Sequence, residues 1–340
     1  MEQFNNKYLV SVRCFTYNQS KFITETLNGF TIQQTSFPFI ILIVDDSSTD
    51  GEQDVIRNYI HSHFDMDSSE SYENDREYAN IIYSRHKSNR NCYIAALLLK
   101  QNMYKKPYQK FEYLSEWRDI CKYEALCEGD DYWIHPLKLQ KQVDIMEANN
   151  KIGLVYAKIK NYHEKSKKFK GTFGGTASNF KELIKSNCIP TLTVMYRLEA
   201  IKDYTCFTNN IIWPMGDYPI WLYISLSWKI SFIDEVFGVY RILEESISHS
   251  NDYNHNKKFL EGTLSIRRFF CQKYEMNDIN LNNLLDYSYG RLFRLAYLEK
   301  EYNDANNYYK EIKKPTIKQR IRHFIILTTK KQITIYEQQY

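Results

Sequence analysis

The sequence predicts an α/β protein with a Rossmann-like, mostly parallel sheet flanked by helices and a helical C-terminal extension. Strand and helix signals alternate through the first half, which is typical of parallel strands joined by helical crossovers. The uninterrupted apolar run Phe39–Val44 is typical of a strand buried on both faces. From about residue 255 the apolar spacing becomes helical. We therefore predict a sheet domain over residues 1–250 and a helical extension over residues 251–340.

The elements of the sheet domain follow in chain order. The predicted strands are Tyr8–Phe15, Phe39–Val44, Ile81–Tyr83, Tyr123–Cys127, Gly153–Ala157, Ile189–Tyr196, Ile230–Asp234 and Val236–Arg241. Helices are predicted over 20–34, from about residue 50, over 136–149 and over 217–227. Two connections are longer than this rhythm requires: the acidic segment 65–77, predicted as a solvated loop, and the segment 104–120, for which the sequence suggests no role.

Composition and charge exclude several classes of protein. At 340 residues the chain can form one large α/β domain and a smaller appendage. A net charge of +4 is too small to indicate a nucleic-acid partner. The seven cysteines are scattered without a C-x-x-C pair, which argues against a disulfide framework or structural zinc and for a reducing compartment. No signal-peptide pattern or membrane-spanning apolar run is visible, so we predict a cytoplasmic protein.

Two pairs of carboxylates follow predicted strands. Asp45 and Asp46 come directly after Phe39–Val44, and Asp130 and Asp131 follow the strand Tyr123–Cys127. In an open parallel sheet, ligands bind outside the carboxyl ends of the strands. A carboxylate beside a buried strand is costly unless it is solvated, paired or bound to a metal. Each pair alone is more typical of a turn or a helix cap, but the two together predict a site.

A phosphate-bearing ligand explains why a site would need acidic side chains. Bare carboxylates would repel a diphosphate ester, whereas a hard divalent cation takes oxygen ligands from one or two carboxylates and from substrate phosphates. Such a cation also stabilises charge that develops on a leaving diphosphate. One acidic pair therefore suits a cation, and the other suits hydrogen bonds to a nucleoside.

The motifs, taken in order, resemble glycosyltransferase family 2 over roughly residues 7–250. They are SVRCFTYNQ (11–19), IVDDSSTD (43–50), CEGDDYW (127–133) and GDYPIWL (216–222). The resemblance implies a GT-A fold, a catalytic domain over 1–250, and an inverting transfer of sugar from a nucleotide-sugar, expected to be a UDP-sugar, to an acceptor hydroxyl. It also implies dependence on Mn²⁺ or Mg²⁺ and a glycan or lipid-linked glycan acceptor in polysaccharide or glycoconjugate synthesis.

The resemblance also implies roles for individual residues. Asp131 would be the metal ligand and Asp217 the general base. Donor-binding residues would be Phe15, Tyr17, Asn18, Asp45, Asp46, Asn91 and Asp130, with Asp46 accepting a hydrogen bond from the base and Asp45 supporting its loop. The chain departs from the family at Ser47, where glycine is frequent, and at Gly216, where glutamate is frequent. The usual Asn-x-Gly signature is blurred to Asn-Arg-Asn over 89–91.

Several of these residues have a simpler structural interpretation. Asp217 precedes an apolar helical segment and is a good N-cap, a role that is compatible with that of a base. Trp133 and Trp221 could stack on sugars, although core packing is the more frequent role of tryptophan. Arg241 could pair with the diphosphate or form a salt bridge. His249 could contact metal or phosphate or be an ordinary loop histidine.

The C-terminal segment 313–331 contains seven Lys or Arg residues and no acid, interleaved with apolar residues. Such a segment can lie on an anionic membrane at its inner face, or it can be the solvated side of a packed helix. The main alternative function is a non-catalytic nucleotide-sugar-binding or scaffold protein with a degenerate GT-A fold. A nucleotidyltransferase is disfavoured because the loop after the first strand, FTYNQSKF, lacks glycine.

Overall fold

The chain forms two compact units. The structure, a computed structural model, describes residues 7–104, 106–177, 179–208, 211, 213–243, 252–274 and 281–337, without the side chains of 107, 108, 281 and 329–337. The first unit comprises Met1–Asn209 and Tyr223–Ile242, and the second comprises Asn210–Leu222 and Leu243–Tyr340.

A mixed sheet forms the first unit. Its strands are β1 Val10–Thr16, β2 Phe39–Asp45, β3 Tyr72–Asp75, β4 Ala79–Arg85, β5 Cys92–Leu99, β6 Tyr123–Leu126, β7 Tyr132–Trp133, β8 Ile152–His163, β9 Lys168–Phe173, β10 Met195–Arg197 and β11 Lys229–Ile242. In the described residues the strand order is β3-β4-β5-β2-β1-β6-β10-β8-β11-β7, with β9 paired to β8. The central strands β5, β2, β1 and β6 are parallel, which confirms the predicted α/β class.

Helices separate most of these strands. They are α1 Ile23–Thr31, α2 Glu52–His63, α3 Pro107–Arg118, α4 Lys138–Ala148, α5 Phe180–Leu183, α6 Tyr204–Phe207 and α7 Tyr218–Ser227. Strand β2 is buried on both faces, as its apolar run predicts. Phe39 and alternate residues after it join a cluster with α1, α2 and α4. Ile40 and the residues alternating with it join a second cluster, which includes Leu114 and Trp117 of α3.

The main error of the sequence prediction is the missing strand β5. This strand pairs with β2 in parallel and with β4 antiparallel, and all eight of its residues are buried. Its second half, Ala-Ala-Leu-Leu-Leu, is rich in residues that favour helices and lacks β-branched side chains. Pairing with the interior of the sheet overrides that local preference.

Smaller differences concern the connections. The acidic segment 65–77 contains the edge strand β3, and the segment 104–120 contains α3. The two strands predicted over 230–241 are one strand, β11, with an irregular register between Ile233 and Val236. The strand predicted over 189–196 is reduced to a 3₁₀ turn at Thr191–Thr193 and the short β10.

The second unit is helical after residue 252. Its helices are α8 Tyr253–Lys273, α9 Leu281–Leu298, α10 Tyr302–Lys310 and α11 Ile317–Glu337. Their buried apolar residues form a separate core that includes Phe293, Ala305 and Ile326. Within the described ranges, no helix combines the length and apolarity needed to cross a bilayer.

Candidate active site

The carboxyl end of β1 lies between the two acidic pairs. Thr16, the last residue of β1, is in register with Asp45 of β2. The backbone N–H of Asp46 donates to the carbonyl oxygen of Thr16 at 3.0 Å, and that of Gly129 donates to the carbonyl oxygen of Phe15 at 3.2 Å. The structure therefore places both pairs at one edge of the sheet.

Gly129 permits the close approach between β1 and the loop after β6. A Cβ atom at this position would lie 2.2 Å from Oγ1 of Thr16 and 2.5 Å from Oε1 of Gln19. These distances are far shorter than van der Waals contact, so any side chain would force the two segments apart. The glycine before the second acidic pair is therefore required by packing.

The loop after β2 is held by its own polar groups. The Asp45 carboxylate accepts hydrogen bonds from the N–H of Ser48 at 3.0 Å and from Nε2 of Gln53 at 2.6 Å. Asn18, which has a left-handed φ of +55°, donates its N–H to Oγ of Ser48 and accepts from the N–H of Thr49. Ser47 has a φ of +62°, which explains why glycine suits this position.

Glu52 is a buried residue of this loop that the sequence analysis did not identify. Its carboxylate accepts from Oγ1 of Thr16, from the N–H of Gln19 at 2.8 Å and from Oγ of Ser48 at 3.0 Å. Burial raises the pKa of Glu52. The available signal was an acid in the first turn of the helix that follows the Asp-Asp loop.

Asp46 is engaged by the segment that leads into α3. Its carboxylate forms an ion pair with Lys110 and accepts from the N–H of Met103 at 2.6 Å, while Nδ2 of Asn102 donates to its carbonyl oxygen at 2.9 Å. Asp46 is only 4% exposed. Both carboxylate oxygens thus have partners within the chain, and the contact from this carboxylate to a nucleoside base stays a prediction.

The two predicted aromatic contacts differ in exposure. The ring of Phe15 is partly covered by α3, with its centroid 5.6 Å from that of Phe111, and the guanidinium of Arg13 lies 4.6 Å from the Phe15 ring. Tyr17 is 48% exposed. Of the two, Tyr17 presents the more open aromatic face.

A second buried ion pair anchors α3 to β6. Glu124, fully buried in β6, accepts two hydrogen bonds from Arg118 of α3, at 3.0 and 3.1 Å, and one from Tyr196. Arg13 of β1 lies 3.4 Å from the same carboxylate. Burial alone would raise the pKa of Glu124, but the charges of Arg118 and Arg13 outweigh it, so the pKa is lowered.

Replacing Glu124 with glutamine should lower the free energy of unfolding by about 3–5 kcal/mol at neutral pH, because two buried guanidinium groups lose their counter-charge. Urea denaturation of both proteins measures this. Since the folded pKa of Glu124 is lowered, its stabilisation is present above its ordinary value of about 4.3 and is lost as the pH falls further. The difference between wild type and variant should therefore shrink in acid.

The matched control for this change is Glu116→Gln in α3, the helix that carries Arg118. Glu116 is exposed and lies 3.5 Å from Arg76, an arrangement in which an ion pair contributes less than about 1 kcal/mol. Equal destabilisation by the two variants would contradict the importance of the buried pair.

Asp130 and Asp131 form the second acidic pair. Asp131 is 4% exposed, and its Oδ1 accepts from the N–H of Arg241 in β11 at 2.8 Å. Thr26 of α1 donates its hydroxyl to the carbonyl oxygens of Gly129 and Asp131. Burial raises the pKa of both carboxyls, and the neighbouring charge of Asp130 raises that of Asp131 further.

Arg241 holds the acidic pair in position through hydrogen bonds to both aspartates. It lies inside β11, where its Nε donates to the carbonyl oxygen of Asp130 at 2.9 Å and its guanidinium pairs with Glu25 and Glu164. The salt-bridge interpretation is thus the one the structure supports, since the guanidinium already has two carboxylate partners.

Trp133 packs in the core. It is 2% exposed, its indole N–H donates to the carbonyl oxygen of Leu192 at 2.6 Å, and its ring contacts Phe30. Nζ of Lys138 lies 3.8 Å from the ring centroid, and burial lowers the pKa of this lysine to about 7. The sugar-stacking hypothesis for Trp133 is therefore wrong, and Trp221 is likewise fully buried.

The remaining predicted residues lie elsewhere. Asn91 precedes β5 at the opposite edge of the sheet from Asp45, where its Nδ2 donates to the carbonyl oxygen of Thr35 at 2.6 Å. Asn102 and Met103, which follow the carboxyl end of β5, lie at the acidic edge and contact Asp46. His249 lies outside the described residues.

Asp217 belongs to the second unit and directly precedes α7. Its carbonyl oxygen accepts from the N–H of Ile220 at 2.9 Å, and its Oδ1 lies 2.6 Å from the N–H of Tyr218. The backbone geometry is that of a helix N-cap. The side chain is half-buried.

The acidic pair fits a hard divalent cation shared with a substrate. Mg²⁺ and Mn²⁺ take oxygen ligands, and Mg²⁺ characteristically uses one or two carboxylates together with waters and substrate phosphates. In the part of the chain that the structure describes, no group of three or more His, Cys, Asp or Glu side chains is arranged around a metal position. Adjacent buried carboxylates with raised pKa values would be stabilised by such a charge.

Comparison with known proteins finds a family match in the region that contains the first two motifs. The family described as Glycosyl transferase family 2 matches residues 11–99. The uncharacterized proteins Rv1520 of Mycobacterium tuberculosis and Mb1547 of Mycobacterium bovis are each 28% identical over 255 residues, which is 74% of this chain. The match covers 64% of each relative, so it spans under two thirds of their length.

Solved structures show the same fold. S. aureus TarS 1–349 in complex with UDP-GlcNAc has a TM-score of 0.54 at 17% identity and covers 89% of this chain and 81% of TarS 1–349. A longer TarS structure has a TM-score of 0.56 at 16% identity and covers 89% of this chain and 49% of its own. The fold is that of the GT-A type, as the sequence predicts. The predicted resemblance to glycosyltransferase family 2 is confirmed over residues 11–99.

Proposed function

We propose that this chain is an inverting glycosyltransferase that moves a sugar from a nucleoside diphosphate, expected to be UDP, to an acceptor hydroxyl. The observation that carries the proposal is the placement of Asp130 and Asp131 beside the end of β1, at the same edge as the loop after β2. Two TarS structures contain UDP-GlcNAc and UDP, which supports a UDP-sugar donor.

Each group at the edge has a proposed role. Asp131 would hold a divalent cation, with Asp130 directed to the ribose or donor sugar, while Tyr17 and Asn18 line the nucleoside side. Mn²⁺ or Mg²⁺, when bound, would neutralise the charge on the leaving diphosphate. Arg241 would fix the Asp131 carboxylate through its backbone N–H and the Asp130 backbone through its guanidinium.

Asp217 is the proposed general base. It would accept the proton of the acceptor hydroxyl while that oxygen forms a bond to the anomeric carbon and the bond to the diphosphate breaks. Attack opposite the leaving group inverts the configuration. The acceptor is proposed to be a glycan or lipid-linked glycan, which would place the enzyme in the cytoplasm and in peripheral contact with the membrane through the basic C-terminal segment.

The alternative function is a non-catalytic nucleotide-sugar-binding protein. The Asp46 carboxylate, expected to contact the base, has Lys110 and the N–H of Met103 as partners. Both functions require a nucleotide-sugar to bind at this edge, so turnover is what separates them.

A donor screen separates the two functions. Purified full-length protein with Mn²⁺ is incubated with a panel of nucleotide-sugars, with and without candidate acceptors, and release of nucleoside diphosphate is measured. The transferase predicts release from at least one donor that stops when EDTA is added. Calorimetric binding of a nucleotide-sugar without release from any donor would instead support the binding protein.

A further inference from the structure

Helix α11 carries apolar side chains on its open side. Ile317, Ile321, Phe324 and Leu327 are 77%, 57%, 66% and 45% exposed. At 3.6 residues per turn, the first three share one face of the helix. Ile326 lies on the opposite face and is fully buried in the core of the second unit. One side of α11 therefore packs against the core of the second unit, and the opposite side exposes apolar residues to solvent.

A cationic pocket lies between α9 and α11. Its cavity of about 230 Å³ is lined by Arg294 of α9 and by Lys318, Gln319 and Arg322 of α11. Gly290 of α9 also lines it, and a Cβ atom there would lie 2.6 Å from Nε2 of the flexible Gln319 side chain. We call Arg294, Lys318 and Arg322 the headgroup pocket.

The three basic side chains of the headgroup pocket form no ion pair with a carboxylate among the described residues. The guanidinium of Arg322 lies over the ring of Tyr297. Asp286, at the start of α9, accepts from the backbone N–H groups of Lys313 and Lys314. The sequence contains no acid between residues 312 and 336.

We propose that α11 docks on an anionic phospholipid surface, with its exposed apolar face among the acyl chains and a lipid phosphate in the headgroup pocket. Lys318 and Arg322 flank one side of the apolar face, and Arg320 flanks the other. Their charged groups can therefore reach the lipid phosphates while the aliphatic part of each side chain lies along the apolar region. The inference deepens the membrane contact of the proposed function and does not depend on its transfer chemistry.

The charge pattern favours a membrane over a second copy of the chain. A two-fold symmetric dimer through α11 would place the same surface of both copies together. With no acid along this part of the helix, that interface would set basic side chains against one another. An anionic bilayer complements both the charge and the apolar face.

Vesicle sedimentation of the full-length protein tests the proposal. The wild type should sediment with vesicles that contain about one third phosphatidylglycerol and stay in solution with pure phosphatidylcholine. The triple variant R294Q/K318Q/R322Q should lose about a hundredfold in partitioning to anionic vesicles, since each basic residue near the surface contributes about fivefold. Replacing Ile321 and Phe324 by serine should also weaken sedimentation.

The control K168Q/K170Q/K202Q removes the same net charge from exposed lysines of the first unit and should keep wild-type sedimentation. Retained sedimentation of the pocket variant with an unchanged melting temperature would overturn the proposal. So would tight calorimetric binding of inorganic phosphate that competes with vesicles, which would make the pocket a free-phosphate site. Dimerisation abolished by the serine variant would show that the face binds a second copy. Release of nucleoside diphosphate, measured without vesicles, reports the proposed function separately.

Discussion

Replacing Asp131 with asparagine should reduce the release of nucleoside diphosphate by at least about a hundredfold. The expected loss corresponds to the several kcal/mol that a carboxylate-held cation contributes when charge develops on a leaving phosphate. Asparagine retains an oxygen that can accept the Arg241 N–H, now 2.8 Å from Asp131, so the local backbone contact is kept. Initial rates with the best donor and Mn²⁺ give the measurement.

The same variant should be more stable than the wild type in the absence of a divalent cation. Burial and the Asp130 charge raise the pKa of Asp131 in the folded chain. The folded state therefore binds more protons than the unfolded state, and stability falls as the pH rises above the ordinary value of about 4. Asparagine removes that cost. The control Asp67→Asn, on an exposed connection, should change neither the release rate of nucleoside diphosphate nor the stability of the protein. An unchanged release rate in Asp131→Asn would refute the proposed cation site.

Asp217→Asn should preserve donor binding and reduce transfer by about 100- to 10,000-fold, the range expected for loss of a general base. Asparagine is as good an N-cap as aspartate, so α7 should keep its N-terminal stability. The measurements are the transfer rate with the best acceptor and the calorimetric Kd for the nucleoside diphosphate.

Asp217→Ala provides the comparison, because it removes both the carboxylate and the cap. It should lose transfer to a similar extent and also lower the free energy of unfolding by about 1 kcal/mol. Full transfer activity in Asp217→Asn, with loss only in Asp217→Ala, would show that the residue caps the helix and does not act as a base.

The sequence predicted the parts of the fold in which local pattern and tertiary position agree. The run Phe39–Val44 is apolar throughout and buried on both faces, and the two Asp-Asp pairs follow strands that end at one edge. Strand β5 was missed because its leucines and alanines favour helix, and only pairing with β2 and β4 makes it a strand. Asn91 was consequently assigned to the wrong edge of the sheet.

Partners of the acidic residues could not be predicted, because they come from distant segments. Lys110 reaches Asp46 from a connection without a recognisable signal, and Arg241 reaches Asp131 across 110 residues. Pairing of this kind depends on how strands are ordered in the sheet, which residue spacing does not encode. The roles of individual site residues remain predictions for the experiments above.

Helix α3 has a consequence for engineering of this protein. Loops between strands are ordinarily tolerant of shortening, and the segment 104–120 resembles an expendable surface connection in sequence. Lys110 and Arg118 of this helix neutralise two carboxylates, that of Asp46 after β2 and that of Glu124 in β6. Shortening the segment would leave the buried carboxylates of Asp46 and Glu124 without these counter-charges. The segment is therefore a poor site for deletion, fusion or circular permutation.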